Sequence, residues 1–196
     1  MTDHPISHPV ARASLAALAG IVLFVASVPL PASAQDKPSR AQVERGRYLV
    51  TTSGCHDCHT PMKMGANGPE LDMSRMLSGH PESLTMPPAP RLPEGPWLVV
   101  SAATNTAFSG PWGISYTANL TPDGQTGLGQ WTFKDFKNTI RTGRHQGRGR
   151  EILPPMPIPM YKHFNDADLG AIFAFLRSIP PVKNRVPEPM APMAAK

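Results

Sequence analysis

Three stretches of the chain repeat their apolar residues at the three- and four-residue spacing of a helix with one buried face. The first spans about Ser39 to Ser53, with Val43, Gly46, Leu49 and Val50 on one side and a capping-box start at Ser39-Arg-Ala-Gln42. Gly46 inside a helix costs about 1 kcal/mol relative to alanine. Its presence is explained if another helix packs closely against that point. The second runs from Thr132 to Thr142, opening on Thr132-Phe-Lys-Asp135, with Phe133, Phe136 and Ile140 as its stripe and Gly143 as its stop. The third, Asp166 to Ser178, is capped by Asn165, carries Leu169, Ile172, Phe173 and Leu176 toward Ile179, and ends at Pro180-Pro181. Between the first two lies a region rich in glycine and proline. Within it, Trp97 to Phe108 alternates imperfectly and predicts a short β-hairpin turning near Asn105. No internal repeat is present.

A fourth apolar run, Leu15 to Leu30, follows Arg12 and precedes Ala32-Ser33-Ala34. It reads as an export signal cleaved after Ala34, being short and proline-broken for a retained membrane anchor. Its removal takes one base, Arg12, and one acid, Asp3, so the net charge stays at +5. The expected organisation is a signal over residues 1–34, one domain over 35–185 with an insertion at about 62–115, and a disordered tail over 186–196. The 24 prolines leave room for few long helices, so something other than side chains is expected to fill the centre. The basic excess suits compensation of a bound anionic group, docking to an acidic partner, or peripheral association with an anionic membrane surface. Nucleic acid is a poor partner, because export removes the chain from it and no basic patch interleaves with aromatics.

The only two cysteines fall in Cys55-His56-Asp57-Cys58-His59. Two thiols three residues apart on a helical turn reach the two vinyl groups of one haem, and the following histidine lies under its iron. A redox dithiol of this spacing would follow a strand, whereas the segment before Cys55 is helical in pattern. Zinc would require two further ligands. The assignment is therefore one haem c, bound covalently through Cys55 and Cys58 with His59 as proximal ligand. For the second axial position the best-placed residue is Met156, in Leu153-Pro154-Pro155-Met156-Pro157-Ile158-Pro159-Met160-Tyr161, where flanking prolines stiffen an extended loop. Met160 is the alternative, followed by His80, His145 and His163. Met62, Met64, Met73, Met76 and Met86 read as filler or surface loop.

These features together resemble the class I cytochrome c family: the helix carrying Gly46 and Tyr48, the C-x-x-C-H at 55–59, Gly68-Pro69-Glu70-Leu71, the late methionine loop, and the last helix with Phe175-Leu176. The resemblance implies a mainly α-helical domain around one haem, its first and last helices crossing at Gly46. It also implies that the Pro69 carbonyl accepts a hydrogen bond from His59 Nδ1. More narrowly, Tyr116-Thr-Ala-Asn119-Leu-Thr-Pro-Asp123, Thr126-Gly-Leu-Gly-Gln-Trp131, Met156-Pro157, Tyr161 and Asp166-Ala-Asp-Leu169 are similar to the cytochrome subunits of bacterial membrane-associated dehydrogenases, in which Met156 matches the ligand position. Those subunits often hold several haem domains, and this chain resembles one. Tyr116, Asn119 and Trp131 carry O–H or N–H groups suited to haem propionates, and Arg141 and Arg144 suit them by charge. The Asn119-Leu-Thr121 sequon is discounted as chance.

The expected function is one-electron transfer in the periplasm, not turnover of a substrate. A dehydrogenase is the expected donor, and an oxidase or another cytochrome the acceptor. The alternatives are a cytochrome subunit within a dehydrogenase complex and, in another class, a haem enzyme or gas sensor with an open iron position.

Overall fold

In the computed structural model, Ser39 accepts a hydrogen bond from the Gln42 amide at 3.2 Å and so starts helix α1 (Arg40–Thr52). The structure describes residues 1–2, 37–90, 92 and 95–192. The expected export signal lies, from residue 3 onward, outside the described residues. Helix α2 (Cys55–His59) follows after Gly54, whose φ of 71° places the turn in the left-handed region that favours glycine. Helix α3 (Phe133–Thr142) has the full capping box, Thr132 and Asp135 each bonding the other's backbone amide, and ends at Gly143 with φ 67°. The short α4 (Ile158–Tyr161) precedes α5 (Asp166–Ser178), which Asn165 caps by accepting from the Asp168 amide at 2.7 Å. All three predicted helices form within a residue or two of their expected limits.

α1 lies against α5, burying Leu49 and Val50 against Leu169, Ile172, Phe175 and Leu176. Gly46 sits at the contact. A Cβ built there would overlap the Ala171 backbone and fall 2.8 Å from Phe175 Cβ. That answers why a helix-weakening residue stands mid-helix: the crossing requires it. α3 packs on the other side of α5, with Phe133 and Phe136 stacked in tilted fashion on Phe173 at centroid distances of 6.1 and 5.4 Å.

The insertion holds more regular structure than expected. Strands β1 (Met62–Gly65) and β2 (Gly68–Leu71) form an antiparallel hairpin immediately after α2. Its two-residue turn is Ala66-Asn67, followed by Gly68 at φ 113°. The predicted hairpin is present as β3 (Val100–Ser101) and β4 (Ala107–Gly110), its connection carrying Asn105 at φ 52°, and β5 (Gly113–Tyr116) adds a third antiparallel strand. Thus helices form the core and two small sheets lie in the insertion. The tail differs from expectation as well. Instead of being disordered from residue 186, the chain runs back along the domain and Met190 pairs with Ile114 of β5 through two backbone hydrogen bonds of 2.9 Å. The proline-rich composition that suggested disorder is overridden by a sheet edge that needs a partner.

Candidate functional site

α2 stands where the end of α1 meets the insertion, and it is tied from both directions. The Asn105 side chain donates to the Asp57 carbonyl at 2.7 Å, and the His56 ring nitrogen Nδ1 lies 3.0 Å from Thr60 Oγ1. Tyr161 of α4 donates to the Ser53 carbonyl, which locks the entrance to the motif against the methionine loop. Burial pushes the Tyr161 phenol up to about 12, so it remains a donor.

Cys55, Cys58 and His59 all open onto one cavity of about 670 Å³. Its floor is apolar, built from core residues such as Val50, Phe136, Ile140 and Leu176. Burial pushes the Cys55 thiol up to about 11, the neighbouring Asp57 charge adding to the shift, and raises Cys58 for the same reasons. Dithiol redox sites and thiolate metal sites lower thiol pKa values. The shift of this pair runs opposite to that of a reactive dithiol.

His59 is buried, and its Nδ1 lies 2.8 Å from the Ala118 carbonyl. A carbonyl only accepts, so Nδ1 carries the proton and Nε2 keeps its lone pair. Burial also holds the imidazole's pKa below its ordinary value. A neutral, oriented imidazole with a free Nε2 is the form that ligates metals. The expected acceptor, Pro69, does not serve. It lies exposed on β2, paired with Met64, because the Gly68-Pro69 segment is drawn into the β1–β2 hairpin. Ala118 replaces it. No side-chain signal marks a carbonyl acceptor, and only the path of the chain after β5 brings it there.

Met156 is half-buried on the cavity wall, between Pro155 and Pro157. Its loop is pinned by Ser115 Oγ donating to the Pro154 carbonyl at 2.6 Å and by the Ile152 amide donating to Gly143 at 2.8 Å. Met160 is 69% exposed on α4 and lies off the cavity. His80 is fully buried away from it, both ring nitrogens engaged by Thr106 Oγ1 and the Leu84 carbonyl at 2.9 Å. His163 is exposed. His145 reaches the cavity but packs edge-on against Trp131, with centroids 5.0 Å apart.

Of the other expected pocket residues, Tyr116 and Trp131 line the cavity. Asn119 borders it too, but its amide is consumed: Nδ2 donates to the Val182 carbonyl at 2.8 Å and Oδ1 accepts from Thr121. It holds a turn and has no donor left for a ligand. Arg141 is bound to Asp166 and the Lys162 carbonyl, and Arg144 bonds Gly149. Arg150 and Arg185 reach the cavity instead. Thr117 Oγ1, buried at its wall, has no hydrogen-bond partner among the described residues. A buried hydroxyl of that kind, beside the thiols, the imidazole and the thioether, fits a cavity shaped for a large, mainly apolar group with polar edges; the volume lies in the roughly 300–1,000 Å³ range of cofactor sites.

The cytochrome c family model matches residues 43–180. The chain belongs to the cytochrome c family. Membership accounts for the motif and the cavity together, since it implies covalently bound haem c. Among curated relatives, this cytochrome is 29% identical to a nicotinate dehydrogenase subunit of Pseudomonas putida, over 89% of the chain and 12% of that protein. It is 27% identical to the gluconate 2-dehydrogenase cytochrome c subunit of Pantoea cypripedii, over 83% of the chain and 29% of that protein. A diheme cytochrome c-type protein of Cereibacter sphaeroides is 32% identical over 76% of the chain and 39% of its own length. The chain thus spans less than a third of the first two relatives. Among the described residues, no helix is long and apolar enough to cross a membrane.

Proposed function

We propose that this cytochrome is an exported one-electron carrier holding a single haem c, attached through Cys55 and Cys58, with His59 and Met156 as axial ligands. The observation that carries the reading is the convergence of both thiols, the Nε2 side of an oriented imidazole and a half-buried thioether on one apolar cavity. The haem supplies the chemistry, cycling between Fe(III) and Fe(II). The protein's part is to hold the group through both states and to set its environment. The Ala118 carbonyl fixes the ring orientation of His59 and raises its basicity. Leu153–Pro157 presents the thioether from a loop too stiff to withdraw, and methionine in that position raises the potential relative to a second histidine. The apolar floor excludes water, which favours the less charged ferrous centre.

The relatives named as cytochrome subunits of dehydrogenases support a dehydrogenase as electron donor, either as a diffusing partner or within a complex. An oxidase or another cytochrome would accept the electron, in the periplasm. The net charge of +5 favours an acidic docking surface or peripheral contact with an anionic membrane.

Substitution Met156→Ala tests the ligand set. The weak methionine-to-iron absorption band of the oxidised protein should disappear, and the reduced protein should bind carbon monoxide rapidly. A band that survives the substitution would remove Met156 from the coordination sphere.

A further inference from the structure

Over the described residues up to 192, the chain after α5 runs back along the domain, and its course bears on the haem cavity. Asn184, fully buried, anchors it: Nδ2 donates to the Ser78 and His80 carbonyls at 2.7 and 2.8 Å, while Oδ1 accepts from Arg75 Nη2 and the Glu82 amide at 2.8 Å. The next amide, Arg185, donates to Glu82 Oε2 at 3.0 Å. Six residues past the anchor, Met190 closes the antiparallel bridge to Ile114, and Tyr116 Oη lies 3.6 Å from its Sδ. Midway, Glu188 pairs with Arg150 at 3.2 Å. Between these fastenings Val186 to Pro189 all border the cavity, Val186 and Pro189 half-buried and Pro187 and Glu188 more exposed. Pro187 and Pro189 hold the span extended and lack the amides that would otherwise need partners. At Gly113 a Cβ would come within 2.8 Å of the Ala191 carbonyl carbon, so the strand edge is shaped to let the tail approach.

We infer that residues 185–190 form a strap across the solvent side of the haem cavity, limiting water at the haem and thereby raising its reduction potential. The inference rests on the haem reading above, to which the strap adds a wall that none of the relatives' names specifies. The strap is fastened at both ends and spanned by few interactions in between, so its outer fastening sets how often it opens.

The experiment compares the haem-loaded wild type with Met190→Pro and Met190→Ala. Proline removes the amide that donates to Ile114; alanine keeps that amide and loses only the sulfur contact. Two measurements are made: trypsin cleavage after Arg185, followed by mass spectrometry, and the reduction potential by spectroelectrochemical titration. Loss of the bridge should raise the open population, and with it the cleavage rate, on the order of tenfold. Met190→Pro should therefore be cut about tenfold faster and titrate at lower potential, with Met190→Ala close to wild type in both. Wild-type cleavage as fast as that of Met190→Pro would overturn the strap. So would faster cleavage with an unchanged potential, since the segment would then cover no haem. A pyridine haemochrome spectrum of the wild type without two thioether bonds would bring down the haem reading itself, and the strap's role with it.

Discussion

Asn184 is the residue whose replacement should tell most about how the haem side of the domain is held. Its side chain makes four hydrogen bonds, of which the two from Nδ2 go to the carbonyls of Ser78 and His80, both wholly buried residues. Asn184→Ala strands those two carbonyls. At about 1–3 kcal/mol for each buried polar group left unpaired, and with Arg75 and the Glu82 amide able to turn to water, the cost should be about 4 kcal/mol. Against a total stability of roughly 5–15 kcal/mol, that is a large fraction. Asn184→Asp separates hydrogen bonding from packing. It preserves the side chain's shape but sets an oxygen against both carbonyls, and it should destabilise at least as much as alanine. Asp keeps the Oδ1 that accepts from Arg75 Nη2 at 2.8 Å, so the pH dependence of this variant reads how far that guanidinium offsets the two opposed carbonyls. Guanidinium unfolding followed by circular dichroism at several pH values measures all three. An Asn184→Asp protein within about 1 kcal/mol of wild type at neutral pH would refute the account, since the network would then carry little of the stability assigned to it.

Gly46→Val should destabilise by about 3 kcal/mol in the same assay, as the helix crossing has no room for a side chain. Gly46→Ala should cost less, because its gain in helix propensity of about 1 kcal/mol offsets part of the overlap. His80 is fully buried, with its Nε2–H donated to the Leu84 carbonyl, and burial holds its pKa below the ordinary 6.5. The unfolded chain therefore binds this proton first, so stability should decline as pH drops below about 6.5. The unfolding free-energy difference between wild type and His80→Gln should shrink over that range. Thr132→Ala removes the cap and half of the capping box of α3 and should cost about 1 kcal/mol, read as a lower midpoint at unchanged slope.

Local chemistry made much of this protein legible from its residue order. Ser39, Thr132 and Asn165 cap helices because a short side-chain oxygen next to free amides needs no tertiary partner, and the three helices begin where those residues stand. Cys55, Cys58 and His59 point to haem attachment because a haem's two vinyl groups and its iron lie at distances that one turn of helix spans. Gly46 announced a close crossing by being costly anywhere else. What stayed out of reach were contacts made by groups that every residue possesses, or by segments far apart in the chain. The acceptor for His59 is the Ala118 backbone, fifty-nine positions away, and a carbonyl leaves no mark in a sequence. Asn119 looked like a ligand donor, yet its amide is used up by the segment after α5. Met156 and Met160 differ little in local pattern; the fold half-buries one on the cavity and leaves the other in solvent. The tail's proline-rich composition argued for disorder, and an unpaired strand edge with a buried asparagine at its root decided otherwise. Caps and motifs rest on neighbours within a turn or two of chain, whereas the hydrogen-bond partner of a buried group is settled only when distant segments meet.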